Sequence, residues 1–166
     1  MNVNLGNAFI QCTYNLIKHY NHRKYWRIRE VVIDPASKCP KLIRLYYLLR
    51  IKMMDAYGNS SMGTDLNRGA IFLSSPNLPH GLNGITISPF AKIGKNCTIF
   101  QHVTIAVGND ARSPVIGDNC LIGVGAVIIG DITIGDNVKI GANCVVLKNI
   151  PSNCTAVGVP ARIIMS

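Results

Sequence analysis

Apolar and polar positions follow two different periods along this chain, and the change falls near residue 58. Before it, apolar residues recur three and four apart through residues 2–20, 22–33 and 40–57, with Pro35 and Pro40 as breaks. That is the pattern of amphipathic helices. In the last of them Leu42, Leu45, Leu49 and Met53 share one stripe, which the pattern predicts to be a packing face. Gly58, followed by a polar stretch, is the expected stop.

Beyond residue 87 the period becomes six. Ile87, Ile93, Ile99 and Ile105 form one series, and Ile116, Ile122, Ile128, Ile134, Ile140 and Val146 form a second. Small or apolar residues such as Ala91, Cys97, Val103, Cys120, Ala126 and Cys144 stand two positions before the aliphatic one. Neither an α-helix nor an alternating strand has a period of six. A parallel β-helix does, when each flat side of the coil takes one hexapeptide and its aliphatic residue points inward. The expected fold is therefore mainly β, a β-helix over residues 59–166 preceded by a short α-helical region over residues 1–58. The two series are out of phase, because Ile105 and Ile116 are eleven residues apart rather than twelve. Residues 106–115 are accordingly expected to leave the prism as an excursion loop, a usual place for chemistry on a rigid scaffold.

Composition narrows the class. At 166 residues, with 48% apolar and 15% charged residues, the chain is long enough for one well-cored domain and is no disordered polymer. No apolar run reaches the ~20 residues of a membrane helix, and the start, MNVNLGNAF, lacks the basic region of a signal peptide. A cytoplasmic location is expected. Cys97, Cys120 and Cys144 sit in the repeat as small buried residues, and no cysteine or histidine spacing suggests a metal, so none is expected. The net charge of +9 is uneven: residues 1–60 hold ten Lys and Arg against three Asp and Glu, the remainder seven against five. A basic first third fits either a solvated surface or an acidic partner, such as anionic lipid at the inner face of a membrane. No nucleic-acid motif accompanies the charge, so nucleic acid is not expected.

One histidine, His80, stands in the turn-rich stretch SSPNLPHGLNG that leads into the repeat. A solvated loop residue and an active-site base are both open to it. His102 precedes the Val103-Thr104-Ile105 segment; Val103 and Ile105 face the core, so His102 is expected to face a groove or the surface. Asp65 either caps a turn or serves a nearby base. His19 and His22 read as surface residues of the helical part.

The repeat, with QHVTIA at 101–106, IGVGAVIIGDITIGDNVKIGANCVV at 122–146 and GVPARII at 158–164, resembles the hexapeptide-repeat acyltransferases. Within them it looks most similar to the serine acetyltransferase-like group, which includes enzymes that O-acetylate bacterial surface polysaccharides. The resemblance implies a left-handed β-helix, a homotrimer with active sites between subunits, and acetyl-CoA as donor. It implies that His80 is the general base, matching the histidine of a Leu-Asp-His-Ala-Thr-Gly segment, with Asp65 as an orienting carboxylate and His102 as a second active-site histidine. It further implies that pantetheine runs past Ala106, Ala126 and Ala142, that Lys148 and Arg162 meet the CoA phosphates, and that Asn83 and Arg112 serve substrate. For Lys148 a solvated position, and for Arg112 a role toward CoA, stay open.

Two departures bear on the acceptor. Pro79 stands where serine acetyltransferases carry an Asp that helps hold the amino acid, and Ser113 stands where they carry a second histidine after the arginine. Both point toward a hydroxyl of a saccharide, a surface polysaccharide or its precursor, with serine or another small molecule as the alternative. A γ-class carbonic anhydrase would need three converging histidines, and residues 59–166 contain only His80 and His102. A non-catalytic scaffold would need neither the entry-loop histidine nor the GVPAR ending.

Overall fold

The computed structural model describes residues 20–108 and 112–165. The helix expected over residues 2–20 lies outside the described residues, except for Tyr20. Helix α1 runs His22–Ile33 and helix α2 runs Lys41–Tyr57. Asn21 starts α1, its side-chain oxygen accepting the Lys24 backbone N–H at 3.0 Å. Pro40 stands at the N-terminal boundary of α2, where its missing N–H costs nothing.

The remainder is a left-handed parallel β-helix whose flat sides are three stacked sheets. One side stacks Thr86–Ile87, Thr104–Ala106, Val127–Ile129 and Val145–Val146. The second stacks Ile71–Phe72, Lys92–Ile93, Val115–Ile116 and Thr133–Ile134. The third stacks Thr98–Ile99, Leu121–Ile122, Lys139–Ile140 and Cys154–Val157, and the antiparallel strand Arg162–Met165 closes it.

The register puts each aliphatic of the repeat on the one below. Ile87, Ile105, Ile128 and Val146 form one buried column, Ile93, Ile116 and Ile134 a second, Ile99, Ile122 and Ile140 a third. Each fully buried aliphatic of this kind contributes about 1.5–3 kcal/mol. The cysteines of the repeat are free and buried, as the pattern predicts.

The corners are held by left-handed residues. Asn96, Asn119, Asn137 and Asn143 all have positive φ, and three of them join Asn153 in a ladder of side-chain hydrogen bonds. Asparagine pays less than other non-glycine residues for that conformation.

Two expectations need correction. The eleven residues from Ile105 to Ile116 are one hexapeptide with five inserted residues, because these isoleucines lie on adjacent sides of the prism, as Ile87 and Ile93 do. The stack is never interrupted, and since Ala106 and Val115 belong to strands, the loop is 107–114 rather than 106–115. The α2 stripe is the second. Leu42, Leu45, Leu49 and Met53 are all exposed, while Arg44, Ile51, Met54 and Asp55 face inward.

The inward polar groups have work to do. Arg44 donates to the backbone carbonyls of Val31, Val32 and Asp34 at the end of α1, and Asp55 accepts the Tyr25 hydroxyl at 2.7 Å. The helices cover the first coil and share its core: Trp26 meets Phe72 edge-on at 4.7 Å, and Arg29 reaches Thr64, Met62 and Ala70.

Candidate active site

The coil passes three corners, and the candidate residues divide between two of them. At the corner after the third side lie His80 and Asn83 in the entry loop, His102 one coil above, and then Ala126 and Ala142. At the corner after the first side lie Arg112 in the loop and Lys148 two coils beyond. Ala106 ends a strand and leads into that loop. Arg162 is exposed at the start of the closing strand, paired with Val157.

The entry loop is pinned to its corner by backbone bonds. Gly84 donates to the Gly58 carbonyl at 2.8 Å, and the His102 N–H donates to the Asn83 carbonyl at 3.0 Å. His80 is exposed, its ring centroid 6.0 Å from that of Phe100. It borders a cleft of about 180 Å³ whose other walls are Tyr20, Met54, Tyr57, Gly58, Gly81, Leu82 and Asn83. Burial raises the Tyr20 phenol far above its ordinary range, and its oxygen lies 2.8 Å from Nδ1 of His22. Tyr20 is therefore a neutral wall. The helical residues of this cleft carry no signal in the sequence, because they reach His80 only through the packing of α2 on the first coil.

His102 is exposed, with φ +60, and occupies the corner position that Asn96, Asn119, Gly125, Asn137 and Asn143 hold in other turns. Its ring lies over Gly84, where any Cβ would collide with Nδ1. Gly84 itself has φ +66, so this position needs glycine both for its backbone and for the ring above it. Of the corner residues named, only His102 departs from the Asn or Gly pattern. His102→Asn is expected to leave the melting temperature within about 2 °C of wild type. If the imidazole serves turnover, the same variant loses about tenfold or more in kcat, as acid–base groups do; unchanged kcat would assign His102 to the surface.

Asp65 belongs to a two-residue strand, Thr64–Asp65, paired antiparallel with Arg68–Gly69. Its carboxylate lies 3.6 Å from Lys52 Nζ and 3.4 Å from Arg68 Nε. These cations, and not a histidine, are its partners among the described residues. Arg112 is also engaged: Nη1 donates to Asp131 at 2.6 Å, and its carbonyl accepts the Gly108 N–H at 3.0 Å. Ser113 meets Ser88 at 2.7 Å, so the loop is fastened to the coil below and the coil above. Ala126 is fully buried; its N–H donates to Gly123 and its carbonyl accepts from Thr104. Of the three alanines, Ala142 is exposed and Ala106 half-buried.

A larger cleft, of about 620 Å³, shares no lining residue with the His80 cleft. Ile33, Ile71, Pro89 and Phe90 are among its apolar lining residues, and Glu30, Asp34, Arg68 and Lys92 are the charged ones.

Residues 113–148 match the family described as bacterial transferase hexapeptide, six repeats. The chain is 40% identical over 136 residues to serine acetyltransferase of Synechococcus elongatus, covering 78% of this chain and 55% of the relative. It is 37% identical over 125 residues to serine acetyltransferase of Bacillus pumilus, covering 74% and 56%. Among solved structures, serine acetyltransferase from Brucella abortus superposes with a TM-score of 0.66 at 29% identity, over 87% of this chain and 54% of that one. Soybean serine acetyltransferase complexed with serine gives 0.62 at 34%, over 75% and 49%. The chain spans about half the length of these relatives. None of the four is a polysaccharide acetyltransferase, so the similarity to that branch expected from Pro79 and Ser113 has no support here.

Proposed function

We propose that this chain is an acetyl-CoA-dependent O-acetyltransferase acting on a small hydroxyl compound of the serine class, with His80 as general base. The observation that carries the reading is His80 itself, exposed on a rigid corner beside a cleft, in a fold whose named relatives are serine acetyltransferases. His80 accepts the proton of the acceptor hydroxyl as its oxygen attacks the thioester carbonyl; the carbon–sulfur bond breaks, and the CoA thiolate takes up a proton on release. Direct attack is favoured, because among the described residues no serine or cysteine is paired with a histidine as an activated nucleophile requires.

The division of residues between two corners supports a composite site. His80 and His102 lie on one corner and Arg112 and Lys148 on another, so one chain does not gather them. A homotrimer with like copies side by side is the simplest arrangement that sets one chain's first corner against its neighbour's second. Acetyl-CoA would then run in the groove, past Ala106 and Ala142, with Lys148 and Arg162 free to take phosphate charge. Ala126 contributes its small size rather than a hydrogen bond, and Arg112, tied to Asp131, holds the loop. Asp65, paired with two cations, needs a changed partner to orient His80.

The saccharide reading keeps two specific observations in its favour: Pro79 removes a carboxylate beside the base, and Ser113 replaces a histidine with a short hydroxyl. The test is CoA-thiol release from acetyl-CoA in the presence of L-serine, other hydroxyl amino acids, nucleotide sugars and oligosaccharides. Saturable release with L-serine and weak release with sugars supports the first reading; the reverse order replaces it with the second.

A further inference from the structure

Helix α2 is folded with its polar residues inside and its apolar stripe outside. Arg44 and Asp55 are less than a tenth exposed, consumed by hydrogen bonds to α1, while Leu42 is 80%, Tyr46 56%, Leu49 58% and Met53 57% exposed. Their spacing of four, three and four places these four on one line along the helix. Ile43 and Leu45 widen the strip, and both are exposed. Scattered exposed apolar residues are ordinary, but a continuous strip along a helix of 17 residues is a surface built to be covered.

Charge identifies what covers it. Arg50 stands at one edge of the strip, and Lys38 and Lys41 lie at its N-terminal end; Lys52, at the other edge, lies 3.6 Å from the Asp65 carboxylate. The only acidic residue of α2 is Asp55, which is buried. A second copy packed on this same face about a two-fold axis would set these cations against one another. A plane that is apolar beneath and anionic above satisfies the strip and the cations together. Long basic side chains at the strip's edges can lay their stems along the apolar layer and lift their heads to phosphate.

We propose that the outer face of α2 is a docking surface for an anionic phospholipid bilayer. The helix lies in the interface plane, with Leu42, Tyr46, Leu49 and Met53 immersed and Lys38, Lys41 and Arg50 at headgroup level. It does not span: no described helix is long and apolar enough to cross a membrane. The inference is independent of the acetyl-transfer reading, since its test measures binding and not turnover.

The full chain is floated with vesicles of phosphatidylcholine alone and with about 30% phosphatidylglycerol added. Partition into the anionic vesicles is expected to be at least about tenfold stronger, and to weaken as salt is raised. The double variant Leu42→Glu/Leu49→Glu is expected to lose about tenfold or more of that partition while melting as wild type does. Three results would overturn the proposal. One is no preference for anionic vesicles; another is equal partition of the double variant. The third is a double variant that melts well below wild type, or that breaks up a larger wild-type assembly, because the strip would then be covered by protein.

Discussion

Replacing His80 with alanine is expected to lower acetyl-CoA turnover by about 10²–10⁴-fold, the usual contribution of a positioned general base. The unfolding temperature should not change. His80 is exposed, its described contact is a ring 6.0 Å away at Phe100, and its turn is held by the backbones of Gly84, Asn83 and His102 rather than by its side chain. Stability and activity therefore separate at this residue. The loss should fall on kcat with little change in the KM for acetyl-CoA, because the base acts on the acceptor hydroxyl. Full activity in His80→Ala would remove the base from the mechanism.

The second large effect is one of stability. Arg29 is 1% exposed and lies against the rings of both Trp26 and Phe72, 5.3 and 4.9 Å from their centroids. It donates to Thr64 Oγ1 at 3.0 Å, the Met62 carbonyl at 3.2 Å and the Ala70 carbonyl at 2.7 Å. Burial lowers the pKa of its guanidinium, and the nearby Tyr25, Asp55 and Glu30 oppose that shift. Arg29→Met removes the donors and leaves these acceptors buried and unpaired, at a cost of about 3–5 kcal/mol. For a chain of this size that is roughly a 10 °C fall in melting temperature. Arg29→Lys should recover little, since an ammonium lacks both the planar fork and the stacking face. An unchanged melting temperature in Arg29→Met would mean that α1 is not locked to the first coil as described.

The fold was legible where the sequence repeats itself. A column such as Ile99, Ile122 and Ile140 is written once per coil, so each occurrence corroborates the others. The corner asparagines were equally visible as letters, but their left-handed φ, and hence the oddity of His102, needs the backbone. The loop's bounds are not legible, because a count of eleven does not say whether one side of the prism or two are traversed; the strand register decides it.

Helix α2 shows a different limit. Periodicity locates an apolar stripe but not the side on which the protein lies, and Arg44 and Asp55 decided that through bonds to α1. At the site, His80 stood out as a histidine in a loop, whereas Tyr20, Met54 and Tyr57 become its neighbours only through tertiary packing. The resemblance implies Asp65 as an orienting carboxylate, yet its described partners are Lys52 and Arg68.

The proposed reaction transfers an acetyl group from CoA to a hydroxyl without a covalent enzyme intermediate. It is tested most directly by following isotope-labelled acetyl-CoA with the full chain and L-serine. The predicted result is equal appearance of free CoA and O-acetylated acceptor, with no label on the protein. Labelled protein, or no label in any hydroxyl acceptor of the panel, would contradict it.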